Sequence, residues 1–328
     1  MNPRGNPGTG SGKLSGNETV RKWAVLALKI VVSVSALAFL LTRMDLRESL
    51  GLLAGSGKSM WALALLFLMV SQAVTTWRWH ILLVPYGFIL PRLKVMKIYW
   101  VGLFFSLFLP GIVGGDVVKT YYVAGSWKAA PTALFTLIAD RTIGVAGMLL
   151  YAAVGLSATW KAFPPWMAAG VAAMIAIFYP ALIYLPRLSV PLLALVKKLR
   201  NIPRDRLFIY WDRPLPALKA WGLSLIVHLC LVAAHVAMGR SLGLGLPVSD
   251  YLLLYPLTSL AAFIPLSLNG IGLREAAYVY ILGRFGVAPE PAFSLALMWF
   301  SIILANGVLG GAVYVLGGRI KGGPDHVR

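Results

Sequence analysis

The chain has 328 residues, 59% of them hydrophobic and only 12% charged, with a mean hydropathy of +0.78. That composition excludes a soluble globular domain and points to an all-α polytopic membrane protein whose membrane domain takes up nearly all of the chain. The net charge of +19, from 30 Lys and Arg against 11 Asp and Glu, then reads as basic loops that set topology and meet anionic headgroups, not as a nucleic-acid footprint.

Residues 1–22 are rich in Gly, Asn, Ser and Pro and carry Arg4, Lys13, Arg21 and Lys22 against Glu18, which predicts a disordered basic tail. Trp23–Leu41 is the first spanning helix, too long for a signal-peptide core. Met60–Trp77 is the second, and the following Trp77-Arg78-Trp79-His80 reads as an interfacial belt with His80 at headgroup level. The connection Arg78–Lys97 is basic and so cytoplasmic, as is Arg187–Lys219, whose Val190–Leu199 portion suits an amphipathic surface helix.

Two full spans, Pro131–Leu156 and Pro165–Leu185, lie between those loops and use up the parity. Ile98–Ala129 lacks the ~40 apolar residues that two more crossings need. It is therefore expected to be re-entrant, breaking at Pro110–Gly115 and returning as Asp116–Ser126. Ala220–Met238 crosses next, and Pro291–Leu316 crosses last, before Arg319 and Lys321 in a short tail, 319–328. Tyr251–Glu290 must then begin and end on the outer side, as a second re-entrant pair. About six spans and two re-entrant hairpins result, in halves of about 23–186 and 220–318 joined by the basic loop 187–219, with both termini cytoplasmic.

The two broken segments resemble each other. Pro110 matches Pro265, Gly114-Gly115 matches Asn269-Gly270 and Lys119 matches Arg274, all at one offset of 155 residues. With the second hairpin inverted relative to the first, this is an inverted-topology repeat, which places a binding site near the midplane between the halves. Pro110, Gly111 and Pro265 are the expected structural breaks.

Helices restarting after Gly115 and Asn269 would expose free N–H groups and a positive dipole end to a phosphate or carboxylate. Lys119 and Arg274 are expected in their first turns, on the same anion; Gly114, Gly115 and Gly270 would let the anion approach, and Asn269 is an N-cap type. Asp116 and Glu275 would compensate the dipoles, hold the cations or accept a coupling proton. Asp140-Arg141, inside a span, is expected to form an interior cluster with Asp116 and Lys119. His228 and His235, seven apart on one helix face, suit packing or helix–helix hydrogen bonds better than metal ligation. Cys230 stands alone in an apolar run as a packing residue. No metal site, cofactor motif or nucleophile elbow is apparent, and none is expected.

Leu109-Pro110-Gly111, Gly114-Gly115-Asp116, Lys119, Asp140-Arg141 and Gly144, together with Pro265 through Asn269-Gly270 to Arg274-Glu275-Ala276, resemble the lysylphosphatidylglycerol synthase transmembrane-region family, also called flippase-like. The resemblance covers roughly residues 20–320. It implies a helical protein of the cytoplasmic (inner) membrane that moves lipids such as lysyl-phosphatidylglycerol between leaflets; other relatives accompany polyprenyl-phosphate glycosylation or hopanoid pathways. This chain departs from the family pattern in two places. Lys119 stands where arginine is usual, keeping the charge but losing a bidentate fork for phosphate, and Phe104-Phe105-Ser106 stands where an asparagine often precedes the Leu-Pro-Gly. The aminoacyl-transferase domain of fused members is not seen, so synthesis of the aminoacylated lipid is not expected.

The expected function is translocation of a phospholipid, an aminoacylated lipid or a polyprenyl-phosphate-linked lipid, with Lys119, Arg141 and Arg274 on the phosphate. The alternatives are an integral-membrane transferase, or an accessory or scaffold protein of lipid-linked glycan or hopanoid synthesis. Expected partners are membrane lipids with anionic or polyprenyl-phosphate headgroups; a lipid-biosynthesis enzyme and a second copy of the chain are further candidates.

Overall fold

The computed structural model describes residues 16–42, 44–108, 114–126, 129–193, 209–264, 266–317 and 320. Every regular element in them is helical, and those of ten residues or more are α1 (Gly16–Leu41), α2 (Leu46–Gly55), α3 (Lys58–Leu83), α4 (Arg92–Phe108), α5 (Gly114–Ala124), α6 (Ala130–Thr159), α7 (Pro165–Leu193), α8 (Pro214–Ser241), α9 (Val248–Phe263), α10 (Leu273–Arg284) and α11 (Pro289–Leu316). The protein is thus an all-α polytopic integral membrane protein. Among the described residues, α3, α6, α7, α8 and α11 are long and apolar enough to cross a bilayer. The other expected span, α1, is 26 residues long, and its described apolar part, Ile30–Thr42, is shorter than a crossing.

Where the two hairpins are expected, the described residues hold two pairs of short helices. α4 and α5 have 17 and 11 residues, α9 and α10 have 16 and 12. At 1.5 Å per residue the longest of these is about 25 Å, short of the ~30 Å hydrocarbon core. The expected breaks Pro110, Gly111 and Pro265 lie outside the described residues, as do residues 194–199 of the expected surface helix; Val190–Leu193 belong to the end of α7.

Lipid tails are as apolar as leucine, so helices in a bilayer are drawn together by close packing and polar contacts, not by water exclusion. Two glycines show this. A side chain at Gly155 of α6 would meet the α9 backbone, 2.6 Å from the Leu253 nitrogen, and one at Gly310 of α11 would meet the Trp100 carbonyl of α4. These contacts bring α9 against α6 and α4 against α11. α3 packs most extensively on α8, and the two run antiparallel. Arg78 near the end of α3 meets Ser224 near the start of α8, while Ala64 and Leu68 pack among Val232, Ala234, Ala237 and Met238.

Four sequence readings need correction. α1 begins at Gly16, inside the stretch read as a tail. An extra helix, α2, stands between the first two spans; Asp45 caps it by accepting from the N–H groups of Arg47 and Glu48, and Ser294 of α11 donates to its Ser49 carbonyl. α3 continues through Leu83, so Arg78 and Trp79 are buried helix residues and not an interfacial belt. The second restart comes at Leu273, after Gly272, not after Asn269. The reason is local: Asn269, Gly270 and Gly272 have positive φ, at 49°, 81° and 86°, a left-handed conformation that a right-handed helix cannot carry.

Candidate functional site: a charged cavity inside the helix bundle

The first turn of α5 presents Asp116 to two cations. Arg141 of α6 places Nε 2.6 Å from Oδ2, and Lys119, one turn further along α5, places Nζ 3.4 Å from Oδ1. The Lys119 ammonium also lies 4.0 Å above the centroid of the Tyr99 ring, a cation–π contact that partly replaces lost water. Asp116 and Lys119 are buried, whereas 38% of the Arg141 side chain is exposed, so Arg141 is the cation that reaches outward.

Arg78 supplies a second ion pair. Its Nε and Nη2 donate to the two oxygens of Asp140 at 2.7 and 3.0 Å, and Nη1 donates to Ser224 at 3.1 Å. A planar guanidinium matches a carboxylate in this fork, and one side chain thereby links α3, α6 and α8. The third pair is local. Arg274 donates to Glu275 Oε1 at 3.1 and 2.8 Å, and Glu275 Oε2 accepts the Gly272 N–H at 2.6 Å. Arg274 also stands 5.7 Å from the Phe300 ring centroid.

These groups share one cavity of about 460 Å³. Arg78, Asp116, Lys119, Asp140, Arg141 and Arg274 all line it, with Tyr99, Ser106, His228 and Asn269 among the polar remainder. Four cations face three carboxylates, counting Glu275 behind Arg274, which leaves one positive charge in excess. In a low-dielectric surrounding such an excess favours an anionic guest. Among the described residues no three His, Cys, Asp or Glu side chains come together as a metal-ligand set.

Of the sequence candidates, Lys119, Arg141, Asn269 and Arg274 line the cavity together with Asp116 and Asp140. Asp140 is paired with Arg78 and not with Lys119. Lys119 sits in the second turn of α5, not the first, because α5 already begins at Gly114. Gly115 contacts α4: a side chain there would strike the Gly102 carbonyl and the Ser106 hydroxyl. Gly270 lies against Ala262 in the α9–α10 turn, and Gly114 starts α5 half-buried. Asn269 is no N-cap; its Nδ2 donates 3.1 Å to the Ser106 carbonyl and so joins the second break to α4. The α10 N-terminus is occupied by its own Glu275 and does not offer a free amide at Gly272.

Sequence reasoning missed Arg78. An acid inside a span, Asp140, was the available signal that a buried partner must exist. His228 and His235 behave as expected: His228 bonds Tyr255 Oη and the Gly144 carbonyl, both at 2.8 Å, and His235 bonds Tyr278 Oη at 2.6 Å. His80 reaches the Leu90 carbonyl at 3.0 Å.

An all-helical bundle of apolar spans around a buried cluster of charged side chains defines a class: polytopic integral membrane proteins with ionisable groups in their interior. A comparison with protein families matches residues 26–311 to the lysylphosphatidylglycerol synthase TM region. The chain belongs to that family, whose membrane domain is tied to lipid modification or translocation. Neither the curated proteins nor the solved structures give a match.

Proposed function

We propose that the chain is a lipid translocase of the cytoplasmic membrane, with both termini cytoplasmic, that passes an anionic lipid headgroup through the cavity. The observation that carries this reading is the convergence of Arg78, Lys119, Arg141 and Arg274 on one space with a surplus positive charge. A phosphate entering the cavity competes with Asp116 for Arg141 and Lys119, an exchange of one oxyanion for another that keeps both cations paired and leaves the buried Asp116 carboxylate without them. Asp116 is then the group that takes a proton, or waits for the cations to return, as the headgroup leaves.

An inverted repeat is the architecture we infer for this movement. In its support, Gly155 and Gly310 stand at the same 155-residue offset as the two breaks and make equivalent close approaches, α6 to α9 and α11 to α4. The equivalent long helices α3 and α8 run antiparallel. In that arrangement the two helix–break–helix pairs enter from opposite faces, and the cavity lies where they meet.

The test is leaflet exchange of fluorescent phospholipids and polyprenyl phosphates in proteoliposomes of purified protein. Exchange of one lipid class is expected, abolished by Arg274→Ala and by Asp116→Ala while membrane insertion persists. Unchanged exchange in both variants removes the site assignment. No exchange of any lipid, with or without a proton gradient, removes the translocase reading in favour of a transferase or a scaffold.

A further inference from the structure

Each of the three carboxylates at the cavity has an arginine at ion-pair distance. Arg78 holds Asp140 at 2.7 Å, Arg141 holds Asp116 at 2.6 Å and Arg274 holds Glu275 at 2.8 Å. The surplus charge is therefore that of Lys119. Its ammonium stands 3.4 Å from an Asp116 oxygen, and it shares that carboxylate with the closer Arg141. Lys119 is buried, and the face of the Tyr99 ring lies 4.0 Å from its Nζ. A shared carboxylate and a cation–π contact compensate only in part for the water that a buried ammonium has lost. Tyr99 itself holds a donor in reserve. Its side chain is only 7% exposed and lines the cavity, yet its hydroxyl meets no hydrogen-bond partner among the described residues. Tyr99 also lies in the field of two of the ion pairs, Arg78–Asp140 and Arg141–Asp116.

We propose that the cavity is a binding site for a small monovalent inorganic anion of the chloride class, held between the Lys119 ammonium and the Tyr99 hydroxyl. The two donors belong to one ring, at its face and at its edge. By the geometry of a phenol they are about 5 Å apart, a gap that one ion spans by accepting from both. Two observations select the class of ion. One unmatched positive charge is balanced by one negative charge, whereas a sulfate or hydrogenphosphate dianion would leave the cavity negative. The donors also suit a round ion: Lys119 is a compact point charge and Tyr99 a single O–H. The planar forks that read oxyanions are engaged by carboxylates at Arg78 and Arg274. The cavity of about 460 Å³ leaves room for the waters that complete the ion's shell. The occupancy of this site is independent of the translocase reading. Its exchange rests on that reading: a headgroup phosphate arriving at Lys119 takes the ion's place.

The test is titration calorimetry of sodium chloride into the purified full-length protein, in a neutral detergent at neutral pH with gluconate as the background anion. A saturable one-site isotherm is expected, and bromide should bind at the same site. Lys119→Met leaves every carboxylate with its arginine, so it should abolish binding while the melting temperature holds. Tyr99→Phe keeps the ring against the ammonium and removes the hydroxyl, and should weaken binding about tenfold. Lys161→Met, which removes an exposed cation away from the cavity, should change nothing. Absence of chloride binding overturns the site and points to a Lys119 amine that carries no proton. Binding of wild-type strength in folded Lys119→Met overturns it as well. Should Lys119→Met fail to fold, an unchanged affinity in Tyr99→Phe has the same force. Sulfate binding more tightly than chloride overturns the monovalent assignment. Chloride binding that Lys119→Met abolishes, in protein that exchanges no lipid, upholds the site and removes translocation. Lipid exchange that Arg274→Ala abolishes, in protein that binds no chloride, does the reverse.

Discussion

Asp140→Leu leaves the Arg78 guanidinium buried with no carboxylate. Both side chains are nearly inaccessible, at 6% and 8%, and the fork is held at 2.7 and 3.0 Å. Opposite charges about 4 Å apart attract by about 4 kcal/mol at an effective dielectric of about 20. Breaking such a buried pair from one side costs about 3–5 kcal/mol, since the surviving charge has already been taken out of water. Here Arg78 keeps Ser224 as an acceptor and borders the cavity, so the low end applies and the expected loss is about 3 kcal/mol. The double variant Arg78→Met/Asp140→Leu removes both charges and keeps the volume, so it should recover at least half of that loss. Equilibrium denaturation in mixed micelles by SDS titration, on the two single variants and the double, gives the coupling energy directly. A loss below about 1 kcal/mol for Asp140→Leu, the range of exposed pairs, or a double variant no more stable than the single ones, would refute the account of Arg78 as the clamp of α3, α6 and α8.

Gly115→Ala should cost about 2 kcal/mol and depress exchange, because the new carbon meets the α4 backbone at Gly102 and cannot be accommodated by a rotamer change. Gly51→Ala, on the exposed α2 with nothing within 4 Å of the added carbon, should instead gain about 0.8 kcal/mol in the same titration. Glu275→Gln removes both the Arg274 pair and a charged acceptor for the Gly272 N–H, for an expected loss of about 2 kcal/mol. Asn269→Gly should lose about 1 kcal/mol with the bond to Ser106. Asn269→Ala should lose about 1 kcal/mol more, from the left-handed backbone at φ 49° that alanine resists; equal losses in the two would show that the backbone strain is absent.

The fold was legible because each of its main features leaves a mark on composition or period. Apolar runs mark the spans, and the two apolar stretches interrupted by Pro and Gly coincide with pairs of short helices, α4 with α5 and α9 with α10. α2 was not legible, since ten residues with modest apolar content carry no spanning signal and the helix is fixed by a cap and by packing on α11. The site was half legible, and its two chain halves explain why. Comparing the two broken segments finds residues that both halves keep, such as Lys119 and Arg274. It is blind to residues kept by one half alone: at the 155-residue offset Arg78, Asp140 and Arg141 correspond to Ala233, Leu295 and Ala296. Asp140 and Arg141 were still caught, because charge deep inside a span is conspicuous by itself. Arg78 was not, because an arginine between two tryptophans at the expected end of a span satisfies the interfacial pattern completely, and its partner lies 62 residues away. The same asymmetry bears on the chemistry. The first half brings Arg78, Lys119 and Arg141 with Asp116 and Asp140, and so holds the surplus charge. The second brings Arg274 with Glu275 and is balanced. If the scaffold is an inverted repeat, its cavity is therefore lopsided, and on the translocase proposal a headgroup would bind more tightly against the positive wall of the first half than against the neutral wall of the second.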